Sequence, residues 1–219
     1  MRSVIFDLDG TLADTSGDLL AAANACFEGL GLGALLTAAD AGTALRGGKA
    51  MLELGFSRVE GYGAATVEAE YPALLAHYEK ALDRHTVLYP GALEAVERLR
   101  AEGVRVGICT NKPEGLAEAL MTSLGVRDRF AALVGADTLP VRKPDPAPFF
   151  EAVRRVGGDP ARALLVGDSM TDERTARAAG VPSVSVSFSP DAASRDEMSP
   201  DAWLHDYADL PGLALRLLP

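Results

Sequence analysis

The stretch Val4-Ile5-Phe6-Asp7-Leu8-Asp9-Gly10-Thr11-Leu12 decides the fold, because an apolar run ends there in two carboxylates and a glycine. Residues 4–6 have the length and composition of a buried strand. Side chains alternate along a strand, so Asp7 and Asp9 point the same way if the strand continues, whereas Gly10 favours a turn. At such a turn both carboxylates lie at the carboxyl end of the strand, where open α/β sheets bind their ligands. Taken alone, this acid pair is more typical of a solvated turn.

Two later segments add groups that suit a phosphate. Thr110 ends the apolar run 104–109 and is followed by Asn111, so its hydroxyl stands at a predicted strand end and can donate to a phosphoryl oxygen. Lys143 lies in the segment Arg142-Lys143-Pro144-Asp145-Pro146, where prolines stiffen the backbone behind one ammonium. That ammonium can neutralise a phosphate, although a lone lysine is more typical of a solvated surface.

A fourth segment supplies further acids. Gly167-Asp168-Ser169-Met170-Thr171-Asp172 follows the apolar run 163–166, and the spacing of Asp168 and Asp172 brings both to one side of a turn that enters a helix. The four segments in this order resemble the motifs of the haloacid dehalogenase superfamily, specifically its phosphoglycolate phosphatase-like branch. The resemblance covers nearly the whole chain and includes Tyr89-Pro90-Gly91.

The apolar pattern divides the chain into two parts. Residues 15–85 read as successive helices separated by glycines, whereas helices and strands alternate after residue 88. That alternation predicts a doubly wound parallel sheet. We therefore expect an α/β core domain over residues 1–14 and 86–219, and an all-helical cap domain over residues 15–85 inserted after the first strand. The predicted helices are 16–30, 38–45, 50–58, 65–82, 91–101, 114–124, 147–156, 172–179 and 210–217, the later strands are 104–109, 131–134, 163–166 and 183–186, and residues 187–200 are a predicted loop.

Composition restricts the partners. The 219 residues carry a formal charge of −10, which argues against a nucleic-acid backbone or an anionic membrane as partner. Cys26 and Cys109 lie in apolar segments and are expected to be reduced core residues, so we expect a soluble cytoplasmic protein. No apolar run is long enough to cross a bilayer. The oligomeric state, monomer or dimer, stays open.

The resemblance implies a chemistry for each motif. Asp7 is the nucleophile that becomes an aspartyl phosphate, and Asp9 protonates the leaving oxygen and then activates water. Mg²⁺ is held by the carboxylates of Asp7 and Asp168 and by the backbone carbonyl of Asp9. Thr110 and Lys143 cover the remaining phosphoryl oxygens.

Further residues support this arrangement. The backbone amides of Leu8, Asp9 and Asn111 are candidate donors to the phosphate. Asp172 either orients a metal-bound water or holds Lys143, and the sequence does not choose between these tasks.

The substrate is expected to be a small phosphorylated metabolite, with 2-phosphoglycolate the best candidate. Arg46 and Lys49, in Leu45-Arg46-Gly47-Gly48-Lys49-Ala50-Met51, fall where this branch places a substrate-facing loop and are candidates to bind a second anionic group. The equally simple interpretation is that both cations are solvated. The alternatives are a sugar phosphatase, a β-phosphoglucomutase-like enzyme, a phosphonatase that uses Lys49, and a non-enzymatic phospho-accepting regulatory domain.

Overall fold

The computed structural model describes residues 1–190 and 196–218. The chain forms two compact units, a core unit of Met1–Ala13 and Leu88–Pro219 and a helical unit of Asp14–Val87. In chain order, the strands are β1 Ser3–Phe6, β2 Ala13–Asp14, β3 Val87–Leu88, β4 Arg105–Cys109, β5 Ala132–Val134, β6 Ala163–Gly167, β7 Ser183–Val186 and β8 Ala202–Leu204. The helices are α1 Ser16–Gly29, α2 Ala41–Ala44, α3 Gly48–Phe56, α4 Ala64–Glu79, α5 Ala92–Ala101, α6 Glu114–Ser123, α7 Ala147–Arg155, α8 Met170–Ala179 and α9 Leu210–Leu217.

The core unit is built on one six-stranded sheet in the order β5-β4-β1-β6-β7-β8, with every neighbouring pair parallel. All four residues of β1 are buried, as expected for a central strand covered on both faces. Phe6 lies opposite Ile108 of β4 and Val166 of β6. Because these three parallel strands end within one residue of one another in register, the polar residues that follow them emerge at one edge of the sheet.

Apolar side chains hold the helices against this sheet. Phe149 and Val153 of α7 pack in one buried cluster with Ile5 and Leu165 of the central strands. Burial of such side chains contributes about 1.5–3 kcal/mol each, so α7 fixes the central strands from one face. The positions of the residues after these strands therefore depend on a well-packed support.

The helical unit has its own apolar core. Phe27 of α1 meets Phe56 of α3 edge to face, with ring centroids 5.1 Å apart. A Cβ atom on Gly55 would lie 2.1 Å from the Phe27 ring, so only glycine permits this close packing. The buried Asp18 carboxylate accepts hydrogen bonds from the backbone amides of His85 and Thr86, which ties the first turn of α1 to the end of this unit.

The predicted α/β class with a parallel sheet is confirmed. No strand was predicted at Ala202–Leu204, which forms the edge strand β8. The single predicted helix 38–45 is a 3₁₀ turn at Ala38–Asp40 followed by the short α2. Part of the predicted loop 187–200 lies outside the described residues. The role of the helical unit as a cap stays a prediction.

Among the described residues, no helix combines the length and the apolar character that a membrane span requires.

Candidate active site

A buried lysine joins two carboxylates at the carboxyl edge of the sheet. Asp7 directly follows β1, and its backbone amide donates to the Val166 carbonyl, which extends the sheet register by one residue. The Lys143 Nζ atom lies 3.0 Å from Asp7 Oδ1 and 2.5 Å from Asp172 Oδ1. The Lys143 side chain is 2% exposed, so this contact occurs in a desolvated environment where charge interactions are strong.

Three acids, two of which contact this lysine, form a compact oxygen cluster. One carboxylate oxygen each from Asp7, Asp168 and Asp172 lie within 4.8 Å of one another, and all three residues are buried. Oxygen-only ligand sets of this kind suit hard cations such as Mg²⁺. The side chain of Asp9, which the sequence placed in the metal set through its backbone carbonyl, does not belong to this cluster of carboxylates.

The electrostatics of the cluster show an excess of negative charge. Burial, the Asp172 carboxylate and Asp9 together raise the pKa of Asp7 from 3.8 to about 7, against the opposing effect of Lys143. Burial followed by the charges of Asp172 and Asp7 also raises the pKa of Asp168 well above its ordinary value. Burial alone would lower the pKa of Lys143, but Asp172 and Asp7 raise it. A divalent cation would relieve this excess, so the residues present fit Mg²⁺.

The remaining oxygens of Asp168 and Asp172 are oriented by hydroxyl groups. Ser189 Oγ donates to Asp168 Oδ2 at 2.7 Å. Ser169 Oγ donates to Asp172 Oδ2 at 2.6 Å, and Asp172 and Ser169 together form a capping box at the start of α8. This cap explains why α8 begins at Met170, two residues before the predicted start. A Cβ atom on Gly167 would lie 2.3 Å from Asp172 Cβ, so glycine is required for this approach.

Asp172 therefore contacts Lys143, which is one of the two tasks that the sequence left open. Its Oδ1 accepts from the ammonium while its Oδ2 accepts from Ser169. The alternative task, orientation of a metal-bound water, stays a prediction.

Sequence reasoning missed Lys112. Its Nζ atom lies 2.7 Å from Asp9 Oδ1, and the two side chains are 5% and 16% exposed. The Lys112 backbone amide donates to Thr110 Oγ1 at 3.1 Å, which orders the turn after β4. The signal was present, because Lys112 follows a strand end by three residues, as Asp9 does in the first motif.

The two segments predicted to bind phosphate are tied to each other. Asn111 Nδ2 donates to the Lys143 backbone carbonyl at 2.9 Å, so the turn after β4 supports the segment that carries the lysine. Thr110 itself is buried, with its backbone amide bound to the Val134 carbonyl. The amides of Leu8, Asp9 and Asn111 stay predicted phosphate donors.

In the helical unit, Arg46 and Lys49, which the sequence proposes as substrate contacts, are exposed, unlike the buried lysines of the core unit. Lys49 Nζ lies 2.6 and 2.7 Å from the two carboxylate oxygens of Glu68, and 5.1 Å from the centre of the Tyr71 ring. The Lys49 and Glu68 side chains are 45% and 67% exposed, and Arg46 is exposed. Contact of either cation with a substrate stays a prediction.

A parallel sheet that presents four aspartates and two lysines at its carboxyl edge is typical of enzymes that handle phosphate esters. The sequence profile of the haloacid dehalogenase-like hydrolases matches residues 1–180, and the chain belongs to this family.

Within this family, the chain is similar to several proteins named phosphoglycolate phosphatase. The chain is 38% identical over 217 residues to a phosphoglycolate phosphatase of Mesorhizobium japonicum, covering 98% of this chain and 96% of the relative. It is 39% identical over 214 residues to a phosphoglycolate phosphatase of Rhodospirillum rubrum, covering 95% and 89% of the two chains. A crystal structure from Haemophilus somnus, described as a predicted phosphoglycolate phosphatase, superposes with a TM-score of 0.85 at 26% identity and covers 97% of each chain. The chain is a phosphoric monoester hydrolase.

Proposed function

We propose that the chain hydrolyses 2-phosphoglycolate, with Mg²⁺ as cofactor and an aspartyl phosphate on Asp7 as intermediate. The observation that carries this proposal is the buried cluster of Asp7, Asp168 and Asp172, in which Asp7 and Asp172 contact the Lys143 ammonium. The substrate rests on the names of relatives that match nearly the full chain. The cytoplasmic location stays a prediction.

The first step transfers the phosphoryl group to the enzyme. An Asp7 carboxylate oxygen bonds to phosphorus as the ester P–O bond breaks, and Asp9 gives its proton to the leaving oxygen so that an alcohol departs. Lys143, already 3.0 Å from Asp7, is placed to bind a phosphoryl oxygen as charge develops. Thr110 offers its hydroxyl to another oxygen.

The second step releases phosphate. Asp9, now ionised, takes a proton from a water molecule, whose oxygen bonds to phosphorus as the bond to Asp7 breaks. Lys112 holds the Asp9 carboxylate through the 2.7 Å contact and so keeps it oriented in both steps. Asp172 keeps Lys143 in place through the 2.5 Å contact.

Mg²⁺ would be held by Asp7 and Asp168 with the Asp9 carbonyl, and when bound it neutralises phosphoryl charge that one lysine cannot balance. The donors are all oxygen, and burial followed by the Asp172 charge raises the pKa of Asp7, so a bound cation would favour the ionised carboxylate.

Rapid-quench labelling tests the proposal. The protein is mixed with 2-phosphoglycolate labelled with ³²P, with Mg²⁺ or with excess chelator, and quenched in acid within milliseconds. We expect label only on Asp7, only with Mg²⁺, and turnover of 2-phosphoglycolate above that of other small phosphate esters. Label on Asp9 or Thr110, or full turnover in chelator, would contradict the mechanism.

The carboxylate of 2-phosphoglycolate, which simple phosphate esters lack, also needs a cationic side chain to bind it. From the sequence, Arg46 and Lys49 are the candidates. Substitution of either cation, described in the Discussion, tests this part separately from the chemistry.

A further inference from the structure

The sheet edge holds two buried cations, and the mechanism places only one of them on the phosphoryl group. Among residues 1–190 and 196–218, Lys112 and Lys143 are the lysines with buried side chains. Lys143 contacts Asp7 and Asp172. Lys112 lies 2.7 Å from Asp9, the residue that exchanges a proton with the leaving group.

Burial of Lys112 has two opposite effects: its ammonium loses hydration, and its attraction to nearby anions increases. An ammonium that is removed from water loses hydration, and partners of opposite charge must compensate for that loss. The same low exposure strengthens its interaction with any anion that enters the site. An ammonium carries three N–H donors, so Lys112 can serve Asp9 and a second anion together.

We propose that Lys112 binds the carboxylate of the leaving group and thereby sets a preference for phosphate esters that carry an anion next to the scissile oxygen. This inference rests on the proposed function. Asp9 must reach the leaving oxygen to protonate it. In 2-phosphoglycolate, the carboxylate is bonded to the same methylene that carries this oxygen. An ammonium in contact with Asp9 therefore lies beside the position that the carboxylate takes.

The surroundings of the other candidate cation favour this assignment. Lys49 already has both oxygens of Glu68 within 2.7 Å, and the two side chains are 45% and 67% exposed. Water and salt screen a charge in that setting. A carboxylate gains more from a buried ammonium next to the reacting bond.

Kinetics on two matched esters test the inference. The substrates are 2-phosphoglycolate and 2-hydroxyethyl phosphate, which replaces the carboxylate by a neutral group of similar size. The variants are Lys112→Met and Lys112→Gln, where Gln still donates to Asp9 but has no charge. Lys80→Met, at an exposed lysine of the helical unit, is the matched control for loss of one charge.

We expect the ratio of kcat/KM for the two esters to fall about 10- to 100-fold in both Lys112 variants, and to stay within about twofold in Lys80→Met. If both esters slow equally, Lys112 only positions Asp9 and the inference is wrong. It is also wrong if the wild-type protein hydrolyses both esters without preference, although the phosphatase activity would then stand.

A binding measurement separates this inference from the proposed function. In an Asp7→Asn background, which cannot form the intermediate, calorimetry gives the Kd of 2-phosphoglycolate and of inorganic phosphate with and without Lys112→Gln. We expect at least about tenfold weaker binding of 2-phosphoglycolate and less than about threefold weaker binding of phosphate. Equal weakening would overturn the inference even in a protein that hydrolyses neither ester.

Discussion

The cations at the edge of the core sheet and those of the 45–51 segment in the helical unit differ in what surrounds them. Lys143 and Lys112 are buried, and each contacts an aspartate to which the proposed mechanism gives a chemical role. Lys49 and Arg46 are exposed, and the Lys49 charge is shared with Glu68. A charge that water can reach contributes little to binding, whereas a desolvated charge with a fixed partner contributes much. Sequence proximity to a family motif does not reveal this difference.

Substitution of Asp7, the proposed nucleophile, should give the largest effect. Asp7→Asn removes the attacking oxygen while preserving shape, so we expect kcat to fall by at least about 10⁴-fold on every phosphate ester. Steady-state hydrolysis of an aryl phosphate and of 2-phosphoglycolate, together with circular dichroism to verify the fold, measures this. Near-normal turnover would show that Asp7 is not the nucleophile and that the reaction takes place elsewhere.

Substitution of the proton-transfer residue should give a smaller but clear loss. Asp9→Asn keeps a side chain that Lys112 can still contact, but it can neither give nor take a proton. We expect a loss of about 10²- to 10⁴-fold in kcat, with phosphate binding retained. The loss in kcat/KM, which reports the transfer of the phosphoryl group to Asp7, should be smaller for p-nitrophenyl phosphate, whose leaving group needs no proton. An equal loss of kcat/KM on esters with good and poor leaving groups would contradict the role of Asp9 as the acid of the first step.

The excess charge of the cluster predicts a pH-dependent stability of the metal-free protein. Burial followed by Asp172 holds the pKa of Asp7 at about 7 in the folded state, against an ordinary 3.8. The folded state therefore retains a proton that the unfolded state releases between these values, and the free energy of unfolding falls as pH rises through this window.

Asp7→Asn removes the titrating group at position 7 and should lose this part of the pH dependence. Between pH 4 and pH 8, we expect the free energy of unfolding of the variant to increase by at least about 1 kcal/mol relative to that of the wild type. Urea unfolding in chelator at both pH values measures the gain, with Glu53→Gln, at an exposed acid of the helical unit, as control. Identical slopes for wild type and Asp7→Asn would show that the buried charges are balanced without a metal.

The helical-unit cations should give the smallest effect. If their exposure makes them unimportant, Arg46→Ala and Lys49→Ala each change kcat/KM for 2-phosphoglycolate by less than about threefold. Glu68→Gln is the matched control, since it leaves Lys49 in place and removes its partner. A 10- to 100-fold loss confined to 2-phosphoglycolate would reverse the comparison and support the loop prediction made from the sequence.

Local pattern was enough for most of the fold. The apolar runs at β1, β4, β6 and β7 and the amphipathic segments between them determine a parallel sheet, because alternation leaves few topologies. The edge strand β8 has only three residues, too few for a periodic pattern. The 3₁₀ turn before α2 could not be predicted from the pattern either, because it is only three residues long and leads directly into the α-helix.

The site was harder because its decisive contacts join residues that are far apart in the chain. Asp7, Lys143 and Asp168 follow family motifs, so the sequence could propose them. The Lys112 partner lies 103 residues away, and Ser189 reaches Asp168 across 21 residues. Such pairs arise only when strands in register bring their ends together. The exposure of Lys49 and its contact with Glu68 also depend on tertiary packing.

The first turn of α8 gives one side chain two obligations. One carboxylate oxygen of Asp172 takes part in the capping box, and the other forms the ion pair with Lys143. The onset of a helix and the placement of a reactive-site charge are therefore a single event in the assembly of this protein. The two cannot be changed independently, because a neutral substitute at position 172 that still capped the helix would lose the ion pair with Lys143.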